Sequence, residues 1–202
     1  MPASSFTNSV TILADGGFLA TKMIDTQVPS AFADAIAGKV TGYVYEWHPA
    51  TGLRRLPNTD DSGPNGIEVT ADGKYMFLAA WGNRRLLRYR LDGSGDAQEP
   101  MQAGSVELEF SPDNLRWAPD GKLLVTGHRL VPPEQCSGGL CTDGWSVVAL
   151  DPATLSMTTL IDKGGDAPFQ DATVALRVGD EVWIGTWRGD RIVYMRAPSA
   201  ER

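Results

Sequence analysis

One hairpin pattern returns four times along this chain, and that recurrence limits the folds open to it more than any other feature. It reads SVTILADGGFLATKM (9–23), GIEVTADGKYMFLAAW (66–81), NLRWAPDGKLLVTGH (114–128) and TVALRVGDEVWIGTW (173–187). Each copy alternates apolar and polar residues up to an Asp-Gly or Gly-Asp pair, then resumes with a second β-rich run. Asp-Gly favours a tight turn, and Val, Ile, Leu, Phe and Trp suit a pleated, half-buried surface. After the hairpins come further strand-like runs: GYVYEWHPATGLRRLP (42–57), RRLLRYRLDG (84–93) with SVELEF (105–110), WSVVALDPATLSMTTLID (145–162), and RIVYMR (191–196) alone. The turn aspartates Asp15, Asp72 and Asp120 are separated by 57 and 48 residues. Four strands per unit at a spacing of roughly 45–60 residues is how propeller blades are written in sequence. A β-sandwich also has many short strands, but it gives no reason for one hairpin to return at that interval.

The expected fold is therefore all-β, a β-propeller of four-stranded antiparallel blades in a single domain spanning 1–202, with blades at about 8–58, 65–110, 113–162 and 172–196. The last blade has three strands, giving about 3.75 blades in all, which predicts the C-terminal portion of a larger propeller. The stretch VPSAFADAIAGKV (28–40) reads as a helical insertion that caps one face.

Composition narrows the partners. The net charge is −7 at pH 7, whereas a nucleic-acid surface needs clustered Lys and Arg. Arg54–Arg55 and Arg84–Arg85 fit solvated strand edges, where charge discourages strand-on-strand pairing. No stretch approaches the ~18 apolar residues of a membrane helix, and MPASSFTNSV lacks the basic and apolar regions of a signal peptide. Cys136 and Cys141, in CSGGLCTDG, suit a small disulfide ring in an oxidising compartment and are too few for a zinc site. No phosphate-binding glycine run and no nucleophile-elbow serine is present.

Oxygen-bearing residues keep step with the repeat. Asn8 precedes Asp15 by 7 residues, Asn65 precedes Asp72 by 7, and Asp113, beside Asn114, precedes Asp120 by 7. Singly, Asn65-Gly66 after Pro64 and Asp113-Asn114 after Ser111-Pro112 each fit a plain turn. A turn has no need to hold one phase in three repeats. Three such residues at the start of successive innermost strands would converge on a propeller's channel, where a hard cation such as calcium collects 6–8 oxygen ligands. The fourth repeat has Ala172 and Thr173 at the matching place and contributes no ligand.

GPNGIEVTADGKYMFLAAWGNRRLLRY, followed by SPDNLRWAPDGKLLVTGH and ATVAL…WIGTWRGDRI, resembles the six-bladed superfamily of gluconolactonases, senescence-marker-type lactonases and paraoxonase-like arylesterases, with strictosidine-synthase-like proteins as distant kin. The resemblance covers about residues 6–196 and implies that this chain is the C-terminal part of such a propeller. It implies that Asn8, Asn65, Asp113 and Asn114 match ligands of the family's catalytic calcium, and that His128 matches a histidine lining the paraoxonase-type cavity. The implied activity is hydrolysis of lactones and related esters, with calcium polarising the carbonyl and water attacking with help from a general base. The family's glutamate ligand and its proposed base histidine belong to blades this chain lacks. Ser9 stands where paraoxonases carry an aspartate for a second, structural calcium, so only one ion is expected.

His48, in YEWHPATG, reads as a surface histidine. Trp81, Trp117, Trp183 and Trp187 read as packing between blades, with Trp187 the one best placed to approach the channel mouth. Gly93, Gly185 and Gly189 read as turn or close-packing glycines. A calcium-dependent hydrolase of lactones or aryl esters is the leading functional expectation, impaired in this chain alone. A non-catalytic propeller binding a small molecule or protein, and a strictosidine-synthase-like enzyme, are the alternatives. Open sheet edges predict self-association.

Overall fold

The computed structural model describes residues 1–91, 99–131, 133–136, 141–165 and 168–196. Gly93 lies outside the described residues. The chain forms two compact units, Met1–Leu108 and Glu109–Arg202. All pairing within their sheets is antiparallel.

The first unit holds two four-stranded meanders. One comprises β1 (Ser5–Ile12), β2 (Phe18–Asp25), β3 (Tyr43–His48) and β4 (Gly52–Arg55). The other comprises β5 (Pro64–Val69), β6 (Tyr75–Ala80), β7 (Arg85–Arg90) and β8 (Met101–Glu107). Strand β5 lies beside β1 and β2, so the inner strand of the second sheet packs on the inner half of the first. Leu19, Val44, Leu56, Ile67, Met76, Leu78 and Leu87 fill the space between the sheets. Each such buried aliphatic contributes about 1.5–3 kcal/mol, which fixes the pair as one body.

The second unit repeats this plan. It holds β9 (Ser111–Trp117), β10 (Leu123–Leu130), β11 (Thr142–Leu150) and β12 (Met157–Lys163), then a three-stranded sheet of β13 (Ala172–Val178), β14 (Glu181–Thr186) and β15 (Val193–Arg196). Strand β13 lies beside β9 and β10. Its core joins Leu124, Trp145, Val147, Ile161, Phe169, Val182 and Ile184. The indole N–H of Trp145 donates to the Phe169 carbonyl at 2.8 Å, so this large side chain is buried without losing its hydrogen bond. Cys136 and Cys141 are joined as a disulfide, with Cα atoms 5.8 Å apart.

The Asp-Gly turns act as their chemistry predicts. The Asp15, Asp72 and Asp120 carboxylates accept from the backbone N–H two residues on, at 3.1, 3.1 and 3.2 Å. Gly16, Gly73 and Gly121 take the left-handed backbone that this turn requires, at φ +87°, +71° and +78°.

Three local expectations differ. The helix in 28–40 is the single element α1, Ala31–Ile36, because Val28–Ser30 form a lead-in turn and Gly38 adopts φ +76° just beyond its end. The outer strand expected at 105–110 is β8, four residues earlier. Its apolar signal came from Leu108 and Phe110, which are buried outside the strand. Trp81 is buried as a packing residue, whereas Trp183 is exposed and stacks on Tyr194 with ring centroids 5.6 Å apart.

Candidate functional site

All four inner strands carry a β-bulge, and the residues singled out from the sequence stand on three of these bulges. Between the Thr7–Lys22 and Val10–Ala20 pairs, Asn8 and Ser9 oppose Thr21 alone. Between Pro64–Ala80 and Ile67–Leu78, Asn65 and Gly66 oppose Ala79. Between Pro112–Gly127 and Leu115–Val125, Asp113 and Asn114 oppose Thr126. In β13, Thr173 is the extra residue between the Ala172–Thr186 and Val174–Gly185 pairs. A bulge bends its strand and re-aims a side chain that regular pleating would send to the other face. It also explains the constant offset of seven: four residues lead from Asn8, Asn65 or Asp113 to the strand end, and three more reach the turn aspartate.

In the first unit, Asn65 is 1% exposed, and its Oδ1 is buried with no hydrogen-bond partner. Buried carbonyl oxygens are nearly always paired, so an amide oxygen held in this way suits a cation or an ordered water. Asn8 is exposed, and its Nδ2 lies 3.7 Å from the Met23 sulfur. Thr21 ties the two bulges together. Its Oγ1 accepts from the Ser9 N–H at 3.0 Å and donates to the Asn65 carbonyl at 2.8 Å. Ser9 itself is buried.

In the second unit, the Asn114 amide donates to Asp113 Oδ1 at 2.7 Å and to the Thr173 carbonyl at 3.1 Å. With both N–H groups engaged, the Asn114 Oδ1 is the side-chain atom left as an acceptor. Burial pushes the Asp113 carboxyl up to about 7, even though the Asn114 bond favours the charged form. His128, 1% exposed, stands on β10 directly opposite Ser111. Paired residues on adjacent strands share a face, so His128 lies on the strand pair that carries Asp113 and Asn114. Burial lowers the His128 pKa below the usual imidazole value, countered by the Asp171 charge and a hydrogen bond to the Ala172 backbone. The hydroxyls of Ser111 and Thr126 are buried on this strand pair without hydrogen-bond partners.

Asp113 and Asn114 are therefore bonded to each other with His128 on the adjoining strand, while Asn8 and Asn65 are linked through Thr21. Within each unit the polar groups at the bulges are oxygen donors, amides at Asn8 and Asn65 and a carboxylate with an amide at Asp113 and Asn114, the donor type that a hard cation prefers. Among the described residues, no three His, Cys, Asp or Glu side chains group as a metal site. His48 is partly exposed, 3.5 Å from Asp15 and 3.4 Å from Glu46, consistent with a surface residue. Among the described residues no helix is long and apolar enough to cross a membrane.

Two residues of evident importance escaped the sequence reading. Thr21 follows Asp15 by six residues, as Thr126 follows Asp120, and this shared phase was its available signal. Asp171 sits just before the fourth bulge. It adopts a left-handed backbone, φ 56°, although it is not glycine, and its side chain is buried. Its Oδ1 accepts from the Thr142 hydroxyl at 2.5 Å, and its Oδ2 lies 3.3 Å from Arg188 Nε. Arg188 stacks on Trp187, with its guanidinium carbon 4.3 Å from the ring centroid, and Trp187 is exposed.

No family model matches the sequence, and no curated protein matches it. Solved structures do. The chain is similar to a gluconolactonase from Xanthomonas campestris, at 15% identity and TM-score 0.61, over 96% of this chain and 58% of that one. It is similar to a periplasmic gluconolactonase from Pseudomonas aeruginosa, at 15% identity and TM-score 0.59, over 97% of this chain and 52% of that one. It is also similar to regucalcin from Agrobacterium tumefaciens, a calcium-binding protein, at 15% identity and TM-score 0.56, over 90% of this chain and 53% of that one. The chain thus spans 52–58% of the length of these structures. The likeness shows the fold, an all-β propeller made of antiparallel blades.

Proposed function

We propose that this chain serves a hydrolase of lactones or aryl esters that depends on calcium, with Asn8 and Asn65 of the first unit and Asp113 and Asn114 of the second as oxygen donors. The observation that carries the reading is the recurrence of an oxygen-bearing residue on the inner-strand bulge of three successive sheets, with the Asn65 Oδ1 buried and unpaired. The gluconolactonase and regucalcin likenesses support it at the level of fold. When bound, calcium supplies polarisation of an ester or lactone carbonyl.

The chain's own residues bind and orient. Asn65 and Asn114 offer amide oxygens, and Asp113 the single carboxylate. His128, kept neutral by burial, is in the protonation state that a general base needs. A small-molecule lactone or ester is the proposed partner, and association between copies of the chain through open strand edges is proposed beside it.

Calorimetric titration of the 202-residue chain with calcium, followed by a panel of γ- and δ-lactones and aryl esters with and without chelator, tests the reading. Calcium uptake together with weak, chelator-sensitive turnover is expected of this chain. Uptake without turnover would leave a calcium-binding propeller and sink the hydrolase.

A further inference from the structure

Asp171 is an expensive residue that the sheet itself does not call for. A non-glycine residue at φ 56° is strained, and burying a carboxylate adds to the cost. Three partners hold it in place: the Thr142 hydroxyl on Oδ1, the Arg188 Nε beside Oδ2, and the Thr186 hydroxyl, which donates to the Asp171 carbonyl at 2.9 Å. Thr142 belongs to β11, the strand beside β10, where Leu130 pairs with Thr142 and His128 with Trp145. The next residue, Ala172, receives its backbone hydrogen bond from the His128 imidazole. The imidazole is thus bonded to the backbone one residue past Asp171 at the start of β13, and the surrounding hydrogen bonds hold the strained residue and its carboxylate there.

We propose that Asp171 is the positioning residue of His128: together with the Ala172 carbonyl it fixes one tautomer of the imidazole and stabilises the imidazolium that forms when the ring takes up a proton. A ring N–H committed to a carbonyl leaves the other nitrogen as the acceptor. The groups whose charge acts on the ring are Asp171, which favours its protonated form, and Arg188, which opposes it. On β9, Asp113 stands two residues past Ser111, the partner of His128. Arg129, next along β10, turns instead to Asp162, Ser146 and the carbonyls of Asp143 and Lys163. Only the kinetic consequence rests on the hydrolase reading.

The test is nitrogen-15 NMR of the imidazoles in the full chain, which has two histidines, so His48→Gln assigns them. Asp171→Asn is the first variant. Asn tolerates left-handed backbone and can still accept from Thr142, so the substitution removes charge and little else. The His128 protonation midpoint should fall by about one pH unit. Arg188→Gln should move it the opposite way, and it keeps the inference falsifiable if Asp171→Asn fails to fold. An unmoved midpoint in folded Asp171→Asn, or in Arg188→Gln, would overturn the proposal. On a hydrolysed lactone, Asp171→Asn should lower kcat at least tenfold with KM within twofold, while a matching rise in KM alone would also overturn it. If no lactone is hydrolysed, the hydrolase reading fails by itself and the NMR midpoints still decide the role of Asp171.

Discussion

In the first sheet the bulge at Asn8–Ser9 faces Thr21, and in the third the bulge at Asp113–Asn114 faces Thr126. Both threonines sit six residues past the turn aspartate and both are fully buried. Their hydroxyls have opposite fates. That of Thr21 accepts from the Ser9 N–H and donates to the Asn65 carbonyl, spanning two sheets. That of Thr126 has no partner, and the Asn114 amide makes the span instead, donating to the Thr173 carbonyl. One bulge is thus held by a hydroxyl, and the other by the side-chain amide of a residue in the bulge itself. The second bulge is the one that buries a carboxylate. Under the proposed calcium reading, anchoring and ligand presentation would be separate jobs in the first unit, and Asn114 would combine them in the second.

The largest expected effect comes from that carboxylate. Asp113 is lifted from 3.8 to about 7 by burial. Between those values the folded chain holds a proton that the unfolded chain has lost, so stability falls as pH rises from about 4 to about 7, and above that the whole penalty applies. Its size is on the order of 4 kcal/mol. Metal-free protein should therefore melt lower at pH 8 than at pH 5, and Asp113→Asn should remove most of that difference while abolishing calcium-induced stabilisation. Equal pH dependence in wild type and variant would show that Asp113 is ionised without cost.

Next comes the anchor of the first bulge. Thr21→Val keeps shape but strands the Ser9 N–H and the Asn65 carbonyl in a buried setting. A loss of about 1–3 kcal/mol is expected in urea denaturation. Because the Asn65 backbone is what Thr21 holds, calcium affinity should weaken as well. Retained stability would mean that water replaces the hydroxyl and that the two sheets do not depend on it.

These contrasts mark what the sequence could and could not convey. Strand alternation and Asp-Gly turns follow local rules, so the four sheets and the phase of Asn8, Asn65 and Asp113 were readable. The bulges were not, because they are a property of pairing register between strands. Nor was the left-handed backbone of Asp171, which is imposed by Thr142, Thr186 and Arg188 rather than by its neighbours in sequence. Strand β8 begins earlier than the apolar pattern indicates because Met101–Gly104 carries little β signal, although Met101, Gln102 and Gly104 pair with Arg90, Tyr89 and Arg88 across one register shift. The seven-residue phase picked out residues that stand on three strand bulges, yet it could not separate the exposed Asn8 from the buried Asn65.

The smallest effect is the most discriminating, because its sign is in question. Thr126→Val is nearly isosteric and removes a hydroxyl that is buried with no partner. Deleting an unpaired buried polar group relieves a desolvation cost, so the variant should be unchanged or more stable by up to about 1 kcal/mol. Thr21→Val, the same chemical change at the corresponding place, should cost stability. The pair of variants therefore converts the comparison into opposite signs, measured in one series of urea melts. Should Thr126→Val destabilise the chain as much as Thr21→Val does, its hydroxyl would have to serve an ordered water or a cation. Repeating the melts with calcium separates these, since a hydroxyl that serves the cation would cost Thr126→Val part of the calcium-induced gain, whereas a water-bound one would leave that gain intact.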